Sequence, residues 1–314
     1  MTCQVNRPNT LGVIFLGAAA WGFLGVLAQP VLAQTDGVLV TRPSMAVQLA
    51  QVTDPTVIAK QWLQEGLGLI QQNRTEAAIL AFRNAIASDP ILAPAHYNLG
   101  LAYRSQGLLQ EAASSFYTAT RTDPRFGLAY ANLGAALLEG QNYEQAESYL
   151  REGLRVSPEL GVLHYNLGQV LWQNNRQADA FYHFQKSTQL DPQSAESAYY
   201  LGLSYQQKGQ TEEALGQFQR AISLRQSYAE AQYSIGSLRL QRRQWVPALE
   251  SFTDSAAADQ RYANAYYGAG LAFIALGKEK DAREMLTYAR DLFRSQKNQD
   301  WVERTESLIA QVRL

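Results

Sequence analysis

From about Ala59 to Phe293 the chain writes one 34-residue phrase seven times, without an insertion or deletion. Gly66, Gly100, Gly134, Gly168, Gly202, Gly236 and Gly270 mark the register, and so do Ala78, Ala112, Ala146, Ala180, Ala214, Ala248 and Ala282. Pro90, Pro124, Pro158 and Pro192 close four of the phrases. A strict period of this length means that each unit buries its apolar face against its neighbours alone. The 314 residues therefore predict one elongated domain without a central core, although the length alone allows two globular ones.

Within a phrase, apolar residues recur at helical spacing in two blocks. In the fifth, Tyr199, Leu201, Gly202, Leu203 and Tyr205 make one helix face, and Ala214, Leu215, Phe218, Ala221, Ile222 and Leu224 make the next. Lys208-Gly209-Gln210 separates them as a turn. The recurring Gly and Ala are where helices approach closely, because a larger side chain there forces repacking. The closing Pro cannot continue a helix and fixes the turn into the next phrase. Gln226 and Gln260 stand where that Pro is expected, so looser turns are expected there. Gly153, Ser187 and Ser255 replace the last small Ala of their phrases, and Glu65 stands where Leu is expected in the first.

The phrase resembles the tetratricopeptide repeat (TPR). Its second copy carries the pattern as His96, Leu99-Gly100, Tyr103, Ala112, Phe116, Ala119 and Pro124, and the fourth as Leu167-Gly168, Leu171, Ala180, Phe184 and Pro192. The resemblance implies an all-α fold, a right-handed α-α superhelical solenoid of helix hairpins. Repeats are expected at 59–92, 93–126, 127–160, 161–194, 195–228, 229–262 and 263–296, with helix starting at 55. Asp54-Pro55 reads as that start, Asp as N-cap and Pro at the first helical position. Residues 297–314 carry Trp301, Val302, Leu308, Ile309 and Val312 on one face, as a helix capping the last repeat's apolar flank would.

Residues 1–33 differ from the rest. Arg7 is their only charged side chain, and Leu11 to Ala28 is continuously apolar or small. Val31 and Ala33 fit the small-residue rule of a signal peptidase, so an export signal is expected, with cleavage before Gln34. The competing reading is an uncleaved anchor through residues 11–28, a run borderline in length for a bilayer. Both readings put the repeats outside the cytoplasm, in a periplasmic or equivalent compartment. Cleavage would also remove Cys3, the single cysteine. Residues 34–54 read as a linker.

No catalytic constellation, metal set or cofactor loop is visible. Net charge is −1 with no basic stripe, which argues against nucleic acid as a partner. Of the three histidines, His96 and His164 share a repeat position two repeats apart, and His183 lies on a second helix. All three read as packing or surface residues. Asn73-Arg74-Thr75 is a weak glycosylation match.

The resemblance places the first helix of each repeat on a concave groove. Asn98, Asn132 and Asn166 recur there, and some superhelical TPR proteins hold a peptide backbone with such an asparagine ladder. An amide offers a donor and an acceptor, matching one peptide unit. A repeat rise of roughly 10 Å equals about three residues of extended chain. One position earlier stand Tyr97, Tyr165, Tyr199, Tyr233 and Tyr267, and Trp172 shares a further groove position with Ile70, Leu138, Leu240 and Ile274. Tyrosine offers a rigid contact with a polar tip. Groove positions hold only Lys60 and Arg104 as scattered cations, which disfavours a clamp for a C-terminal carboxylate. The expected function is an exported adaptor binding a peptide segment or partner protein. The alternative is a self-associating or membrane-tethered scaffold with no peptide ligand.

Overall fold

A computed structural model of the chain describes residues 54–312. The expected signal, its cleavage site and most of the linker lie outside the described residues. Among the described residues there are fifteen α-helices and no strand. They are α1 (Pro55–Gln71), α2 (Thr75–Ser88), α3 (Ala93–Ser105), α4 (Leu109–Thr122), α5 (Gly127–Glu139), α6 (Tyr143–Val156), α7 (Gly161–Gln173) and α8 (Gln177–Leu190). There follow α9 (Ala195–Gln207), α10 (Thr211–Leu224), α11 (Ala229–Gln241), α12 (Trp245–Ala258), α13 (Ala263–Ala275), α14 (Glu279–Ser295) and α15 (Gln299–Gln311). From α3 to α13 the odd-numbered helices begin 34 residues apart, and from α2 to α14 the even-numbered ones do the same.

Asp54 caps α1 through Oδ1, which accepts the Thr56 N–H at 2.9 Å, and Pro55 occupies the first turn. The turn inside each hairpin needs one residue with left-handed φ. Asn73, Gly107, Gln141, Asn175, Gly209, Arg243 and Gly277 supply it, at 34-residue intervals. Gly and Asn adopt that conformation readily, whereas Gln141 and Arg243 carry local strain.

Two compact units divide within α4, between Ser115 and Phe116. In the first, α1 packs on α2, α2 on α3, and α1 also touches α3. In the second, each helix from α5 to α15 packs on the next. There α5 also touches α7, and α11 touches α13, so first helices of successive repeats lie side by side.

The repeat glycines are steric sockets. A Cβ on Gly66 would stand 2.4 Å from the Phe82 ring, on Gly168 2.6 Å from Phe184, on Gly202 2.7 Å from Phe218 and on Gly236 2.7 Å from Phe252. Gly134 and Gly270 meet Leu150 and Leu286 in the same way. These partners are completely or almost completely buried, each such side chain contributing about 1.5–3 kcal/mol. Ser187 and Ser255 are more than tolerated replacements for Ala. Ser187 Oγ donates to the Gly161 carbonyl at 2.9 Å, and Ser255 Oγ to that of Ala229 at 2.7 Å.

The turns between repeats correct one expectation. Gln260 takes the closing Pro position, yet its turn repeats the pattern of the proline-bearing ones. The Asp at the end of the second helix organises it. Asp259 Oδ1 accepts the Arg261 N–H at 2.8 Å, as Asp89 accepts from Ile91, Asp123 from Arg125 and Asp191 from Gln193. An Asx turn needs the carboxylate and no proline ring.

At the C-terminal end α15 covers α14. Val302 joins Ala289 and Phe293, while Val312 joins Ala282 and Leu286. The Trp301 and Phe293 rings stack at 5.3 Å.

Candidate functional site: the first-helix face

In the first unit, α3 carries Tyr97 and Asn98, both half-buried. The Asn98 amide donates to the Pro94 carbonyl of its own helix at 2.7 Å, on the exposed side.

In the second unit the candidate asparagines differ from one another. The amide of half-buried Asn132 donates to Leu128 O within α5 at 3.0 Å. Asn166 is 5% exposed, and its amide donates at 2.9 Å to the carbonyl of Ala131, one repeat back. That bond ties α7 to α5, and burial takes the amide out of reach of a peptide ligand.

The tyrosines also divide. Tyr199 is 7% exposed and packs on Phe218 at 5.7 Å, Tyr228 at 5.0 Å and Tyr200 at 5.5 Å. It is a joint between repeats. Tyr165, Tyr233 and Tyr267 are half-buried, as is Trp172. Tyr165 meets Tyr200 edge-on at 5.8 Å, Tyr233 meets Tyr262 at 5.7 Å, and Tyr267 meets Trp301 at 5.2 Å. Trp172 leans on Phe184, 6.3 Å between ring centres. These rings are fixed by neighbours and keep part of their surface open. Tyr267 lines a shallow hollow of about 490 Å³ with Glu303, Arg304, Ser307, Leu308 and Gln311 of α15.

Three phenols escaped the sequence reading: Tyr200, Tyr228 and Tyr262. Tyr228 and Tyr262 are 34 residues apart, so the period itself could have found them. Burial is the main cause that holds the phenols of Tyr199, Tyr200, Tyr228 and Tyr262 protonated above the usual tyrosine range, and the charge of Glu230 adds to it at all four.

The histidines require a correction. His183, expected to lie away from its fellows, is bonded to His164, Nδ1 to Nδ1 at 2.9 Å. His164 Nε2 sits 3.2 Å from the Pro158 carbonyl. Nε2–H of His164 then donates to Pro158, and His183 Nδ1–H donates to His164 Nδ1. This pattern requires a neutral His164, whose Nδ1 accepts. Burial lowers the pKa of each, and the proximity of His164 helps push His183 down to about 4. Helices α7 and α8 face each other, which brings together residues 19 apart in sequence. Among the described residues no three His, Cys, Asp or Glu are grouped to hold a metal ion.

Each unit is built from packed α-helices, with rings and amides on its first helices, and the family comparison agrees. The chain matches tetratricopeptide repeat families at residues 63–126, 131–195 and 183–216, and a TPR repeat family at 204–241, together more than half its length. It belongs to the tetratricopeptide repeat family. No curated protein matched the chain. Among solved structures it is similar to a tetratricopeptide repeat protein from Parabacteroides merdae, at 17% identity over 79% of this chain and 98% of that one, with a TM-score of 0.61. A chain of the APC/C hetero-tetramer Cut9-Hcn1 matches at 18% identity over 80% of this chain and 48% of that one, TM-score 0.64. PilF of Pseudomonas aeruginosa matches at 21% identity over 81% and 98%, TM-score 0.50. At such identities the likeness speaks for the fold.

Proposed function

We propose that the protein is an exported adaptor that grips an extended peptide segment or a partner protein along its first-helix face. Membership of a family of protein-interaction repeats carries the general part of this reading. The observation that carries the specific part is the set of half-buried but anchored groups on first helices of the second unit: Asn132, Tyr165, Trp172, Tyr233 and Tyr267. Rigid rings with polar tips give contact area at low entropic cost, and a half-buried amide offers groups that match a peptide backbone without reading its sequence. Asn166 and Tyr199 serve this face from beneath, by locking adjacent repeats. Export rests on the apolar run and small-residue motif of residues 1–33. No helix among the described residues is long and apolar enough to cross a membrane.

The test is capture of partners by tagged protein from native membranes and their exported fraction, read by mass spectrometry. Partners are expected to be lost from Asn98→Ala/Asn132→Ala and from Tyr165→Ala/Trp172→Ala while helical circular dichroism is retained. Equal capture by folded variants would move binding to another surface or to self-assembly. N-terminal sequencing of the exported protein checks the cut before Gln34.

A further inference from the structure

The second unit also carries a cleft drawn mainly from second helices. It has a volume of about 310 Å³, and its lining includes Tyr117 and Arg121 of α4, Tyr130 of α5, and Tyr149 and Glu152 of α6. Tyr117 is 42% exposed and meets Tyr149 edge-on, with ring centres 5.9 Å apart and planes at 65°. Buried Tyr130 completes the aromatic lining. Two positions of this cleft recur in the next repeat as His164 and His183, which close on each other through their hydrogen bond.

The two charged groups of the lining differ in what they already hold. Glu152 is bound by Arg155, through Nε at 3.2 Å and Nη2 at 2.6 Å, so its charge is balanced within α6. Arg121 is exposed, and among the described residues its guanidinium makes no hydrogen bond or ion pair. The contrast is written in the repeat. Arg121 and Arg155 stand 34 residues apart, at one repeat position. Three residues before Arg155 comes Glu152, and three before Arg121 comes Thr118. The nearest acid in sequence is Asp123, whose carboxylate accepts the Arg125 N–H at 3.0 Å in its own turn. The cleft therefore offers one uncompensated cation beside phenol rings.

We propose that this cleft docks a glutamate side chain of a partner protein, with its carboxylate on Arg121 and its methylene stem on the Tyr117 and Tyr149 rings. The inference goes beyond the adaptor reading, which concerns groups on the first helices. A guanidinium fork matches a carboxylate in shape and charge. Glutamate brings two methylene groups to the rings where aspartate brings one, and each that leaves water adds to the attraction. A cationic side chain would meet repulsion from Arg121 and a Glu152 already engaged by Arg155.

The test uses the full chain on arrays of short peptides with randomised flanks and a fixed central glutamate, aspartate, glutamine or lysine. Glutamine keeps the shape of glutamate and removes its charge. Glutamate peptides are expected to retain the wild type roughly fivefold better than glutamine peptides, with aspartate between, as one ion pair at a partly exposed site would give. Arg121→Gln should remove that preference, and Arg121→Glu should exchange it for lysine. Arg121 is exposed, so both variants should keep the helical circular dichroism of the wild type. Tyr117→Ala should erase the margin of glutamate over aspartate. Equal retention of glutamate and glutamine peptides by the wild type overturns the proposal, as does no retention of either. A glutamate preference that survives both Arg121 variants overturns it as well. Tyr165→Ala/Trp172→Ala should leave the preference in place. A preference lost in that variant and kept in Arg121→Gln would belong to the first-helix face, sparing the adaptor reading and overturning the cleft.

Discussion

At the sixth position of the first helix, repeats three and four carry Asn132 and Asn166, and repeat five carries Tyr200. Asn166 joins its repeat to the one before through a buried hydrogen bond to a backbone carbonyl. Tyr200 joins its own by lying on Phe184, with centres 5.2 Å apart and planes 24° apart, and by meeting Tyr165 edge-on. The helix positions are the same, but the coupling is directional and polar in one region and broad and aromatic in the other. The difference extends to the surface. The region of repeats three and four offers amides and apolar side chains such as Leu128 and Val162. The region of repeats five and six offers phenols and the carboxylates of Glu196 and Glu230. One scaffold can thus change chemistry along its length without changing its backbone, because the glycine sockets that set helix spacing are the same in both regions.

Removing the ring that both regions share would test this contrast hardest. Phe184→Ala empties a fully buried site at which Tyr165, Trp172 and Tyr200 all meet. It should cost about 3–5 kcal/mol, read as a lower urea midpoint. A loss below about 1 kcal/mol would mean that the repeats are joined mainly by hydrogen bonds.

Next in size is the amide tie itself. Asn166→Ala leaves the Ala131 carbonyl without its buried partner and should cost about 1–3 kcal/mol. Asn98→Ala removes only an exposed bond within its own helix and should fall within about 0.5 kcal/mol. Equal costs would show that the two asparagines do the same work.

A smaller effect separates the regions by pH. The His164 and His183 pair lies in repeat four, and both folded pKa values are depressed. The unfolded chain therefore takes up protons first, near the ordinary histidine value of 6.5. The pair's contribution is intact above that pH and is lost as pH falls from there towards about 4, where folded His183 protonates. Arg151 and Lys186 oppose protonation, while Asp179, Glu147 and Glu159 favour it. About 1–2 kcal/mol should be lost over this window after allowing for solvent screening. His183→Gln should flatten that slope, and an unchanged slope would place the acid sensitivity elsewhere.

Arg225→Ala gives the smallest expected change. Its ion pair with Glu196 is partly exposed, so its loss should cost roughly 0.5–1 kcal/mol in the same urea experiment. A cost near that of Phe184→Ala would make the Glu196, Arg225 and Tyr228 group of repeat five a structural keystone.

The period determined that the described repeats are helix pairs, where one repeat gives way to the next, and which small residues sit at the close contacts. These depend on residues a few positions apart and on contacts that recur identically at every copy. The family resemblance then assigned Tyr165, Tyr233, Tyr267 and Trp172 to the candidate face. Tertiary structure decided which members of each row point where. Asn98 and Asn166 occupy one repeat position, yet the first bonds within its helix and the second bonds across to the preceding repeat. The sequence separates His164 from His183, and the hairpin presses them together. Tyr199 shares its row with half-exposed rings, and Tyr228 and Tyr200 cover it. A repeating sequence can fix the backbone because every copy supplies the same small residues at the same close contacts. The fate of a side chain is fixed by what the neighbouring copies carry at other positions, and there the copies differ.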